Sequence, residues 1–190
     1  MKCKILGATA LASLLSIPAF AQWQIDPDAS SLHFVSTKNA QVHEVHRFDT
    51  LSGTLEKNGD LTVNVPLNSV NTNIAIRDTR MQEMLFEVAS FPNATFSAMV
   101  PAALLNIESG GIIRGEVEGT LELHGTTALV SFDVSVARNE DMITVTTVSP
   151  TIVDATTFNL GAGVEALQKV ASLSSITLSV PVTFSVTFTQ

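Results

Sequence analysis

The chain has 190 residues, with 18 acidic against 10 basic side chains and a formal net charge of −8. That balance excludes a nucleic-acid partner, which would attract a basic surface, and charge-driven docking on anionic lipid. A single Cys excludes an internal disulfide framework, and ten Phe with one Trp and no Tyr favour apolar walls over a polar sugar or peptide site.

The chain opens on Lys2 and Lys4, an apolar run from Ile5 to Ile17, and Ala19-Phe20-Ala21, which has the small-x-small form of a cleavage site. This predicts a secretory signal peptide over residues 1–21 and an exported domain over residues 22–190. The run is shorter than the roughly 20 residues a membrane-spanning helix needs, so no stable membrane insertion is expected. Cys3 lies within the leader. The exported part must then be held together by its core alone.

Downstream the pattern is period-two alternation. Strands are expected near Leu32–Ser36 and Leu51–Glu56, then over "LTVNVPLNSV", where Leu61, Val63, Val65 and Leu67 share a face. "EKNGDLT" has the form of a two-residue hairpin with Asn58-Gly59 at its tip. From Ile74 to about Val88 the spacing becomes helical, through Ile74, Arg77, Met81, Met84 and Leu85, with Asp78 in the first turn. Strands resume near Ala94–Val100, over "GEVEGTLELHG", over "LVSFDVSVA" and near Met142–Val148, with turns at His124-Gly125 and Asn139-Glu140-Asp141. "GAGVEALQKVASL" reads as a second helix. The chain ends on a long half-buried strand with Ile176, Leu178, Val180, Val182, Phe184, Val186 and Phe188 on one face, and Pro181 requires an edge or a bulge there. About eight strands joined mostly by short turns predict an all-β meander closed into an antiparallel barrel with one or two short helices.

Catalytic signatures are missing. There is no G-x-S-x-G nucleophile motif, and "GAGVEAL" is no phosphate loop. Glu116 and Glu118 share a strand's polar face, as solvated carboxylates do. His43 and His46 in "QVHEVHRF" lack the spacing of a zinc helix, and on a strand they point to opposite faces. A non-enzymatic protein without a metal is the reading that follows. Its competitors are a metal- or redox-linked protein built on the two histidines, and a structural domain with a filled barrel. A barrel of about eight strands can be filled or can hold one small ligand, and composition does not decide which.

"WQIDPDASSLHFVSTK", "GTLEKNGDLTVNVPLNSVNTNIAIRDTRMQEMLFEVASFPNATFSA" and "GTLELHGTTALVSFDV", in that order, resemble the YceI-like family of exported polyisoprenoid-binding proteins. The most specific part is Asn71-Thr72 … Arg77-Asp78 … Phe86 … Phe91-Pro92 … Thr95-Phe96, with Leu123-His124-Gly125-Thr126 as a second marker. The sequence departs from the family at Met84-Leu85-Phe86-Glu87, where members often carry two adjacent Phe and an Asp. The resemblance implies an extended, lipocalin-like barrel of eight antiparallel strands with a long apolar tunnel. It also implies periplasmic location and carriage or sequestration of a long-chain apolar small molecule, an isoprenoid quinone or a fatty-acid-derived lipid, with no other cofactor. Phe34, Phe96, Phe132 and Phe158, with Val63 and Val65, are the expected lining. Phe48, Phe86 and Phe91 are assigned to the barrel ends, and Arg77 either meets a head group at the entrance or pairs with a carboxylate. Exposed strand edges allow a homodimer, although Pro66 and Pro181 could equally protect them.

Overall fold

Strand pairing follows chain order almost throughout. The computed structural model describes residues 22–190; the expected signal peptide, with Cys3, lies outside the described residues. The strands are β1 (Trp23–Lys38), β2 (Val42–Phe48), β3 (Ser52–Leu55), β4 (Asp60–Pro66), β5 (Val70–Asn71), β6 (Asn93–Met99), β7 (Ile112–Leu123), β8 (Thr126–Asn139), β9 (Met142–Thr147), β10 (Thr151–Asp154) and β11 (Ser179–Thr189). Three pairs of these segments are single strands of the meander interrupted by a break. β2 and β3 both pair with β1, β4 pairs with β3 while β5 pairs with β2, and β9 and β10 both pair with β11. Counted this way, the barrel has the eight antiparallel strands that the alternation predicts.

Closure comes from β11 lying against β1, from Gln24↔Thr189 to Phe34↔Val182. The register shifts between Asp26 and Ser31. There the Asp26 carboxylate accepts the Asp28 amide at 3.0 Å, and the Ser30 hydroxyl donates to the Asp26 carbonyl at 2.6 Å while accepting the Thr187 amide at 3.0 Å. The bulge therefore satisfies its own backbone. It falls between the stretch of β1 that pairs with β3 and the stretch that pairs with β2. Pro181 sits one residue beyond the end of the β1 ladder, where β11 pairs only with β10, so its missing donor breaks no bond.

The turns refine the expectation in one place. The β3–β4 connection is a three-residue loop, closed by the Gly59 amide on the Glu56 carbonyl at 3.0 Å with Gly59 at φ 99°. Glycine thus supplies the left-handed residue after the turn rather than half of a two-residue tip. His124 and Gly125, at φ 50° and 70°, do form the expected two-residue turn. Leu178, placed by alternation on the inner face, is exposed because β11 begins at Ser179.

Three short helices cover the ends. α1 (Ala75–Arg80) runs into a π turn over Met81–Leu85, and α3 (Gly161–Val170) crosses that turn so closely that a Cβ on Gly163 would lie 2.7 Å from the Met84 carbonyl oxygen. α2 (Ala102–Leu105) covers the other end, with Leu104 over Gly115 of β7. The core accordingly falls into two clusters. One gathers Phe34, Leu67, Met81, Leu85, Phe86 and Phe158 under α1 and α3; the other gathers Trp23, Leu55, Leu104, Val134, Val186 and Phe188 at the α2 end.

Gly119 of β7 is paired with Ala98 beside Phe96, and a Cβ there would lie 2.6 Å from Phe96 Cζ. The glycine leaves room for the tip of the Phe96 ring and for the Ser97 carbonyl oxygen, 2.5 Å from the same point. Gly119→Val should force that ring inward and cost about 1–3 kcal/mol. A lowered urea midpoint with unchanged slope would be the sign of it.

Candidate functional site

Inward-facing positions of all eight strands surround a cavity of about 280 Å³ whose lining side chains are all apolar. It draws on both core clusters, from Phe34, Leu85 and Val164 under the helices to Leu55, Leu104 and Phe188 at the α2 end. Two runs of phenylalanine form much of its wall. Phe132 meets Phe96 on one side and Phe184 on the other, both edge-to-face with centroids 5.3 Å apart. Phe34, Phe48 and Phe86 follow at 5.5 and 5.9 Å under the helices. Such contacts fix the rings to one another beyond what area burial alone achieves, so the walls need no occupant to stay in place.

Seven of the residues singled out from the sequence line this cavity: Phe34, Phe48, Val63, Val65, Phe86, Phe96 and Phe132. Phe158 does not. It is 2 % exposed and packed within the helix-end cluster, in the turn that leads to α3. Phe91 lies against the His124 ring at 4.5 Å and over Gly125, at the β7–β8 turn. Phe184 and Phe188 line the cavity as well. Their signal was present in the alternation of the last strand.

Arg77 is absent from the lining and engaged on every side. Its Nη1 donates to Glu44 Oε2 at 2.9 Å, its Nε to the Thr72 hydroxyl at 2.8 Å and its Nη2 to the Thr72 carbonyl at 2.8 Å. The Thr72 hydroxyl in turn donates to Asp78, whose carboxylate also accepts the Thr72 amide at 2.8 Å. Asp78 thus ties the start of α1 to the strand before it. Lys38 Nζ completes the group at 2.6 Å from the same Glu44 oxygen. This network joins the β1–β2 hairpin to α1 beside Phe34.

The two histidines of β2 diverge, as a strand requires. His43 is exposed and bonded to Thr37 at 2.8 Å. His46 is 4 % exposed, in tilted contact with the Phe34 ring at 5.2 Å between centroids, with Nε2 3.0 Å from Ser36 Oγ and no protein partner on Nδ1. Among the described residues, no group of three or more His, Cys, Asp or Glu could hold a metal ion. No helix among them is long and apolar enough to cross a membrane.

Residues 23–188 match the YceI-like domain family. The chain belongs to the YceI-like family. Among solved structures it is similar to a polyisoprenoid binding domain from Saccharophagus degradans implicated in plant cell wall breakdown, at 38 % identity and TM-score 0.84, over 88 % of this chain and 97 % of that one. It also resembles BcnA of Burkholderia cenocepacia, at 20 % identity and TM-score 0.68, over 86 % and 98 % of the two chains, a likeness of fold. No curated protein matches the chain.

The charged groups of this YceI-like barrel behave as the geometry dictates. The hydrogen bond from Lys38, helped by the charge of Arg77, holds Glu44 below the usual carboxylate range. Burial, and then the charge of Arg77, pushes the His46 imidazole below its ordinary value of 6.5. Phe34, Ser36 and Lys38 of β1, Glu44 of β2, and Arg77 and Asp78 of α1 are the groups that surround it or act on it.

Two outcomes follow. Thr72 is 3 % exposed, and Thr72→Val would strip a partner from both Arg77 and Asp78. It should cost about 1–3 kcal/mol in urea unfolding. For His46 the unfolded chain takes up the proton first as pH falls through about 6.5, so stability is lost below that value and fully present above it. Titrating the unfolding midpoint between about pH 6.5 and 5 should show a decline that His46→Phe flattens.

Proposed function

We propose that the barrel binds one long-chain isoprenoid, quinone-like or related, and carries or sequesters it in the periplasm without chemical conversion. The observation that carries this reading is the lining, with no polar side chain along a cavity that spans both core clusters. Water gains no hydrogen bonds from such walls, and genuinely apolar cavities stay dry. A flexible hydrocarbon chain gains about 0.8 kcal/mol for each CH₂ it withdraws from water. The match to a polyisoprenoid binding domain at 38 % identity supports the isoprenoid class. The amino-terminal Lys2, Lys4 and Ala19-Phe20-Ala21 pattern supports export.

No constellation for bond-making chemistry faces the cavity. Its walls orient by shape, and the aliphatic and Phe side chains are soft enough in outline to accept a range of chain conformations. Met81 adds to this, since a thioether side chain refits at little cost. Binding here is a matter of burial and length.

The test is mass spectrometry of an organic extract from protein exported and purified without detergent. One isoprenoid species near one per chain is the expected result. A blank extract that stays blank after incubation with isoprenoid quinones would refute the reading. Phe132→Asp places a carboxylate in the middle of the phenylalanine run. It should reduce uptake by at least tenfold while circular dichroism still reports the barrel.

A further inference from the structure

The two ends of the cavity are covered in different ways. Under α1 and α3 several side chains share the task, among them Met81, Leu85, Phe86 and Val164. At the opposite end the cover is the single turn of α2, of which Leu104 and Leu105 line the cavity. Leu104 is 5 % exposed, while Ala102 and Ala103 of the same turn face water. Inside and outside are thus one side chain apart at this end.

Gly115 makes that arrangement possible. It lies two residues before Val117 on β7 and shares the inward face of that lining residue. A Cβ on Gly115 would lie 2.8 Å from Leu104 Cδ2 and 3.4 Å from both Cδ1 and Cγ, and these three atoms are its nearest neighbours. Leu104 therefore fills, from the helix, the place that the strand leaves empty. The turn that carries it is fixed. The Leu104 amide donates to the Pro101 carbonyl at 2.8 Å and the Asn106 amide to the Ala102 carbonyl at 3.1 Å. Just before the turn, the Val100 amide donates to the Gly59 carbonyl at 2.9 Å, tying the segment to the β3–β4 loop.

We propose that Leu104 is the stop met by the end of a bound chain that lies under α2, and that it sets the longest chain the barrel accepts. This rests on the isoprenoid-binding reading above and names the residue that limits length within it. Each carbon drawn into the apolar cavity adds affinity. A chain that has reached Leu104 finds no further apolar wall, because the next residues outward face water. With both ends covered, extra carbons must crowd a packed interior, which resists added methylenes. Affinity then rises with length to a limit and falls beyond it.

The test uses an equimolar mixture of all-trans prenols from C₁₀ to C₄₅, with the species retained by the purified protein quantified by mass spectrometry. Retention by wild type should rise about tenfold or more per five-carbon unit up to a limiting length, then drop about fivefold or more at the next unit. Leu104→Ala opens the gap between α2 and Gly115. It should abolish the drop, so that prenols beyond the limit are retained within about twofold of the best one. Adding Gly115→Val to that variant refills the gap from the strand side and should bring the drop back. Wild-type retention without an upper limit overturns the proposal whether or not either variant folds. So does a folded Leu104→Ala variant that keeps the wild-type limit, or a folded double variant that lacks it. Retention of no prenol by wild type overturns the isoprenoid reading itself, a result distinct from the others.

Discussion

Everything in this barrel depends on the ladder between its first and last strands. β1 and β11 come from opposite ends of the described chain and close the sheet on itself. Without that seam the meander is an open, twisted sheet with two long edges, free to collapse its apolar face. With it, the side chains of eight strands are held at the circumference by backbone hydrogen bonds. The hollow is then a geometric consequence of closure, because rings fixed on the wall cannot all reach the axis. Edge-to-face contacts among Phe96, Phe132 and Phe184 hold those rings against one another. Gly119 gives Phe96 somewhere to lie.

The same closure explains where polarity is allowed. Along the cavity there is none. At the helix-covered end, β1 continues past the seam onto Ser175–Thr177, and Lys38, Glu44 and Arg77 tie the β1–β2 hairpin to α1, with Thr72 and Asp78 anchoring that helix. Arg77 is thereby a structural brace first, with its guanidinium spent on a carboxylate, a hydroxyl and a carbonyl. His46 sits between this brace and the apolar wall, and the contrast between its two nitrogens is what distinguishes it from His43 on the outer face.

Much of this was legible in the sequence, for a plain reason. When one face of a strand is buried and the other wet, alternation reports facing residue by residue: it put Val63 and Val65 on one face of their strand, and the family resemblance made the inner face a cavity lining. Phe158 was misjudged as lining because it lies outside any alternating run. Its burial comes from the turn before α3 packing on the helices. The pairing of Phe34 with His46 was invisible because hairpin register is set by the Asn39–Gln41 turn, where Asn39 and Ala40 both take positive φ. The Gly59 loop was misread by one residue because Asn-Gly serves two hairpin geometries. That three strands are broken in two was likewise not written in composition or period.

Those breaks distribute stiffness unevenly. The longest continuous ladder is β7 with β8, through twelve residue pairs. The second halves of the interrupted strands are held by short ladders: β3 to β1 through two residue pairs, β5 to β2 through two and β10 to β11 through four. A segment tied by few backbone bonds opens at lower free energy than the body it hangs from. Amide protons of β5 and β10 belong to the weakly held segments, and those in the middle of β7 and β8 to the strongly held ones. Half-strands of the wall can therefore part transiently while the seam and the long ladders stay closed.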